Sequence, residues 1–166
     1  MNEGIIQIYY GEGHGKSTAA IGNAIRYASE GKSVIIIEFL KGKNENELAF
    51  LNRLEPEIKI FRFAKSDESF EELSEQEQQE EAMNLRNGFN YGKKVVTTAA
   101  CDMLILDEVL GVIDEKVVTP QEMQELFENK PDDMTLVCTG RVLEDSIRPY
   151  ADEIYNIAPE KIRIDE

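Results

Sequence analysis

The chain has 166 residues and 18.9 kDa, with 18 basic and 33 acidic residues for a formal charge of −15. That length makes one domain with a core of its own, and 42% hydrophobic with 31% charged residues excludes a disordered chain. The acidic balance argues against duplex DNA, RNA or an anionic membrane as the main partner, because those need clustered Lys and Arg; an anionic small molecule in a local positive pocket stays compatible with it.

The N-terminus, Met1-Asn2-Glu3-Gly4, carries neither a basic region nor a small-residue cleavage site, and the longest apolar runs, such as Val34 to Ile37, are far short of a membrane span. Cys101 and Cys138 lie 37 residues apart with no CxxC and read as reduced core thiols. These features predict a cytoplasmic location.

Short β-rich runs alternate with helical patterns, the signature of βαβ units on a parallel sheet. Ile5 to Tyr10 reads as the first strand, Gly11 to Ser17 as a glycine-rich turn, and Thr18 to Glu30 as a helix stopped by Gly31. Ser33 to Phe39 is a continuously apolar strand of the kind parallel sheets bury on both faces. Glu45 to Leu54 reads as a short helix and Ile58 to Phe63 as the third strand. Ser74-Glu75-Gln76-Glu77 has the pattern of a capping box opening a long helix toward Ala100, with a bend expected near Gly88 or Gly92. Met103 to Leu106 is a fourth strand ending in Asp107-Glu108, and Thr119-Pro120-Gln121-Glu122 is a second capping box opening a helix to about Asn129. Thr135 to Thr139, a short helix at Leu143 to Tyr150, and Glu153 to Ile157 complete the pattern, and 158–166 reads as a loose charged tail. Nothing marks a domain boundary in 1–166. The stretch Asp67 to Glu81 holds eight acids and no base and reads as a solvated helix face, or as an acidic docking surface.

The chemistry lies in Tyr10-Gly11-Glu12-Gly13-His14-Gly15-Lys16-Ser17, between a predicted strand and a predicted helix. Glycines let the backbone curl so that N–H groups face phosphate oxygens, and the helix start adds its positive end. Lys16 supplies a charge for terminal phosphates and the Ser17 hydroxyl a ligand for Mg²⁺. The P-loop pattern wants Gly where this chain has Tyr10. His14, the single histidine, reads as a solvated side chain beside the phosphates. Asp107 and Glu108 end an apolar strand and point opposite ways if the strand continues, so one of them faces the metal. Arg141 follows the fifth strand at the same edge, in reach of a phosphate or as a plain surface residue. The fold these signals predict is α/β, a three-layer P-loop NTPase (RecA-like) domain with a mostly parallel sheet of about six strands.

Taken together, the motifs resemble the P-loop ATP:corrinoid adenosyltransferases. The matching pieces are Tyr9 to Ala20 with Arg26 in the first helix, Phe39-Leu40-Lys41-Gly42, Leu106-Asp107-Glu108, Thr139-Gly140-Arg141 and Ala151-Asp152-Glu153, covering about Gly4 to Ile157. The resemblance implies transfer of the 5′-deoxyadenosyl group of ATP to the Co(I) of a corrinoid, with release of triphosphate held in a reversed orientation. Co(I) is itself the nucleophile, so the protein supplies proximity and electrostatics. By position, Gly11, Glu12, Gly13, His14, Gly15, Lys16, Ser17 and Thr18 would wrap the triphosphate, Ser17 and Glu108 would ligate Mg²⁺ or Mn²⁺, and Arg26 and Arg141 would contact the nucleotide. Lys16, Glu108 and Arg141 would carry the reaction. A homodimer and a flavodoxin-like reductant come with the resemblance.

The chain also departs from the family. Members commonly carry Lys at the His14 position, and an aromatic Gly-Phe-x-Trp-like segment after the third strand; this chain has Phe61-Arg62-Phe63-Ala64-Lys65-Ser66 there and no Trp. Phe63 or Phe70 would have to substitute, and core packing is the alternative role for each. Many members also carry an N-terminal helical extension and a C-terminal Lys-His-Pro-containing segment, whereas this sequence opens at the first predicted strand and stops soon after the sixth. Two other functions fit the phosphate loop: an ATP-binding or ATP-hydrolysing protein without corrinoid adenosylation, and a corrinoid carrier.

Overall fold

The computed structural model describes residues 3–40 and 49–164. Six strands form one sheet: β1 (Ile6–Tyr10), β2 (Val34–Glu38), β3 (Ile58–Arg62), β4 (Met103–Asp107), β5 (Thr135–Gly140) and β6 (Glu153–Asn156). Their spatial order is β3-β2-β4-β5-β1-β6, and every pairing is parallel. The sheet is therefore fully parallel where the sequence led us to expect a mostly parallel one.

Every residue of β2, β4 and β5 is buried, as expected for strands covered on both faces. Alternate side chains feed two cores. Ile35, Ile37, Leu104, Leu106, Leu136 and Cys138 pack on one face, and Val34, Ile36, Met103, Ile105 and Val137 on the other. Helix α1 (Lys16–Ser29) covers the second face through Ala20 and Ala24. Helices α2 (Glu75–Thr97), α3 (Val109–Asp114) and α4 (Pro120–Asn129) cover the first, through Leu85, Phe89, Val112, Met123 and Phe127 among others.

At the head of α2 only the Ser74 arm of the expected box is made, its hydroxyl accepting the Glu77 N–H, whereas at α4 Thr119 and Glu122 exchange both arms. Gly31 closes α1 in the left-handed region at φ 82°. The expected bend of α2 is not a break: the helix is continuous through Gly88, where Phe63 and Phe39 approach to about 3 Å from where a Cβ would stand. Phe63 is thus core packing, tilted against Tyr91.

Other expectations shift. Helix α3 was not anticipated, and the segment after Leu143 is a 3₁₀ helix, Asp145–Tyr150. The expected helix at Glu45 to Leu54 lies partly outside the described residues; its described end is helical at 49–51 and 3₁₀ at Asn52–Leu54. Residues 157–164 form neither helix nor strand. Cys101 and Cys138 are free and buried, and burial pushes both thiols up, Cys101 to about 12.

Candidate functional site

The topology sets the site. Strand β5 lies between β1, which leads into the glycine loop, and β4, which ends in the two acids. The carboxyl ends of all three therefore meet at one edge, with Tyr10 opposite Gly140 and Leu106 opposite Cys138.

The loop starts one residue later than the P-loop pattern requires. Tyr10 is still the last residue of β1, and its ring lies under the Arg148 guanidinium, 5.3 Å from the centroid. The sharp turn falls on Gly11, at φ 127°. A Cβ there would stand 2.3 Å from the Ile157 carbonyl oxygen, and at Gly13 it would stand 2.8 Å from the same atom. Two loop N–H groups are used for this architecture: Gly11 donates to the Gly140 and Arg141 carbonyls, and Gly13 to Ile157 at 2.9 Å. Gly11 and Gly13 thus use their amides to shape the loop.

Further N–H donors stand at the head of α1. The N–H groups of Lys16, Ser17 and Thr18 have no acceptor four residues back within the helix. The cap residue Gly15, at φ 105°, has no side chain to satisfy them, and the first turn holds no acid. An anion suits such an end by both hydrogen bonding and dipole. Lys16 is buried, and its Nζ donates to the Gly13 carbonyl at 2.8 Å, across the inside of the loop. Glu12, His14 and Thr18 are exposed.

Ser17 Oγ donates to Asp107 Oδ1 at 2.8 Å, and Thr139 Oγ1 donates to the same oxygen at 2.8 Å. Thr139 Oγ1 in turn accepts the Glu108 N–H at 2.8 Å. Asp107 is 2% exposed and Thr139 fully buried, so the central bond of this chain is shielded from water. Sequence reasoning gave Thr139 no role; a threonine ending a buried apolar strand next to a functional turn was the available signal. Glu108 then adopts the left-handed conformation (φ 66°) at the head of α3, which turns it away from the strand direction. It lines a cleft of about 230 Å³ with Leu40, Phe70, Asp114, Arg141 and Val142.

Arg141 joins the cleft to the loop, pairing with Glu12 at 3.3 Å, although both side chains are largely exposed and the pair adds little stability. Arg26 is not part of this assembly. It lies ten residues beyond Lys16 in α1, about 15 Å of helical rise, and is exposed. Lys41 and Gly42 of the Phe-Leu-Lys-Gly segment lie outside the described residues. Across the cleft, burial and the neighbouring carboxylates of Glu71 and Asp114 raise the Glu115 carboxyl above its usual range.

The family model described as ATP:corrinoid adenosyltransferase BtuR/CobO/CobP matches residues 2–166. The chain belongs to the ATP:corrinoid adenosyltransferase family. As a member it is a transferase that binds ATP and adenosylates a corrinoid. It is 28% identical over 98% of its length to the corrinoid adenosyltransferase of Escherichia coli K12, covering 80% of that protein. It has the same identity and coverage to the corrinoid adenosyltransferase CobA of Salmonella typhimurium. A KaiC-like protein of Pyrococcus horikoshii OT3 superposes with a TM-score of 0.60 at 16% identity, over 99% of this chain and 76% of that one, a likeness of fold alone. For an adenosyltransferase the arrangement is economical: phosphate loop, acids and cleft share one sheet edge.

Proposed function

We propose that this adenosyltransferase holds the ATP triphosphate on the head of α1 and receives the corrinoid in the cleft beside Glu108 and Arg141. The observation that carries this reading is the Ser17–Asp107–Thr139–Glu108 chain, which ties the loop to the cleft wall through 2.8 Å bonds. Lys16 and the first-turn amides stabilise charge on the leaving triphosphate. Arg141 adds a second cation on the cleft side. Leu40, Phe70 and Val142 offer the corrinoid an apolar wall, and Phe70 takes the part that an aromatic after the third strand has elsewhere in the family. The Co–C5′ bond forms as the C5′–O bond breaks, and the electron pair leaves on triphosphate.

The donor set fits Mg²⁺. The Ser17 proton is committed to Asp107, which leaves the hydroxyl lone pairs for a hard cation. Among the described residues no group of three His, Cys, Asp or Glu side chains is arranged to hold a metal ion by itself, and Mg²⁺ is usually held by one or two protein oxygens plus phosphates and water. Ser17 and Glu108 would hold the ion, with Asp107 orienting Ser17, and the ion would neutralise phosphate charge. The family supports a homodimer and a flavodoxin-like donor of the electron that makes Co(I). Free, buried Cys101 and Cys138 support a reducing, cytoplasmic setting, and the charge of −15 supports a partner list without nucleic acid. Among the described residues no helix is long and apolar enough to cross a membrane.

The deciding experiment supplies ATP, Mg²⁺ and a chemically reduced corrinoid. Triphosphate and a cobalt–carbon bond, formed in equal amounts, are expected. ADP and phosphate released regardless of corrinoid would overturn the reading.

A further inference from the structure

Seven of the eight acids in 67–81 are exposed. Glu81, on α2, is only 6% exposed. Its carboxylate accepts the backbone N–H of Lys65 at 2.9 Å and of Ser66 at 2.6 Å, and the Asn84 side-chain amide at 3.2 Å. Residues three apart on a helix are surface neighbours. Three residues earlier on α2, Gln78 Nε2 donates to the Phe70 carbonyl at 2.9 Å. These two side chains therefore hold the two ends of one segment, 65–70, against the same face of α2.

Between those ends Ser66 Oγ accepts the Glu68 N–H at 3.1 Å, and beyond them a 3₁₀ turn, Phe70–Glu72, leads into α2. The far end of the segment brings Ser69, Phe70 and Glu71 to the cleft that Glu108 and Arg141 line. The nucleotide side is built by β1, β4, β5 and α1, and neither Gln78 nor Glu81 is bonded to it. Hydrogen bonds to a buried carboxylate are strong ones, so Glu81 fixes the segment's start more firmly than a neutral group would.

We propose that Gln78 and Glu81 are positioning residues for the corrinoid. They fix how far Phe70 projects into the cleft, and so set the affinity for the second substrate without acting on the nucleotide. This rests on the placement of the corrinoid in that cleft.

The test is steady-state adenosylation by the full chain, with corrinoid and ATP varied separately. Gln78→Ala is expected to raise the KM for corrinoid about fivefold, equivalent to about 1 kcal/mol at 1.4 kcal/mol per tenfold. The KM for ATP and kcat should stay within about twofold. Gln78→Lys keeps a donor long enough to reach the Phe70 carbonyl and should restore most of the corrinoid KM. Glu81→Gln turns an amide N–H toward a backbone N–H and should act in the same direction, more strongly. If Glu81→Gln fails to fold, Gln78→Ala, at a half-buried position, still decides. A fall in kcat with the corrinoid KM unchanged would overturn the proposal, because that is what a purely structural role gives. Phe70→Ala separates the two layers. If it raises the corrinoid KM and the Gln78 and Glu81 variants do not, only the positioning role fails. If it leaves that KM unchanged, the cleft placement fails and the proposal with it.

Discussion

Ser17 and Asp107 are 90 residues apart in the chain and 2.8 Å apart in space, the hydroxyl donating to the carboxylate. The bond crosses β5, whose Thr139 donates to the same oxygen. One carboxylate oxygen thus sets the orientation of two hydroxyls, one on the phosphate loop and one under the turn that carries Glu108. Asp107→Asn replaces an acceptor by a group that can also donate, and should misorient both. We expect kcat/KM for ATP to fall about 100-fold, and Ser17→Ala combined with it to cost much less than the sum of the two, as members of one network do. Glu108→Gln should instead raise the Mg²⁺ concentration at half-maximal rate, read from a metal titration. An unchanged Mg²⁺ dependence in that variant would remove Glu108 from the metal.

Lys16 is the buried cation inside the loop. Lys16→Ala should weaken ATP binding by about 100-fold, the scale of a lost charge-assisted contact to phosphate. Calorimetric titration measures it directly, and undiminished affinity would break the link between this loop and the triphosphate.

Gly13→Ala tests the buttress made by the end of β6. The added Cβ would stand 2.8 Å from the Ile157 carbonyl oxygen, a backbone atom that cannot swing aside. The same carbonyl accepts the Gly13 N–H. Loss of about 1–3 kcal/mol of stability and a weaker response of the melting temperature to ATP are expected. Thermal denaturation with and without ATP reads both.

Arg86 on α2 and Glu122 on α4 form a two-pronged ion pair, and Glu122 also closes the Thr119 box. Hydrogen bonding from Arg86 holds the Glu122 carboxyl down at about 2, below the ordinary 4.5. A depressed carboxyl stabilises the fold above its unfolded value and loses that contribution as pH falls toward its folded one. Stability should therefore decline between about pH 4.5 and pH 2. The pair is partly exposed, so we expect about 1–2 kcal/mol. Urea midpoints across that range should fall less steeply in Arg86→Ala; an equally steep decline would assign the acid lability elsewhere.

The sheet was legible because its strands are buried on both faces, and such strands are written as continuous apolar runs, Val34 to Ile37 and Met103 to Leu106. The caps of α2 and α4 were legible because capping joins residues three apart. Helix α3 was not, since its cap residue Glu108 makes no side-chain capping bond and six mostly apolar residues are too few to show a helical period. The same limit hid Glu81: in a run of acids the sequence has no mark for the one that turns inward.

The residues alone determined that a phosphate-binding loop, a strand-end acid and a strand-end arginine occur in this chain, and the charge of −15 determined that its anionic ligand had to be met locally. Tertiary structure decided how those pieces act. It put β5 between β1 and β4, so that Thr139 couples the loop to the acids. It engaged the Gly11 and Gly13 amides with the Gly140, Arg141 and Ile157 carbonyls, left Arg26 about 15 Å along α1, and turned Glu108 into the cleft. Local pattern reports what the backbone prefers over a few residues, whereas which groups meet across 90 positions depends on strand order, and strand order is settled only when all the layers pack together.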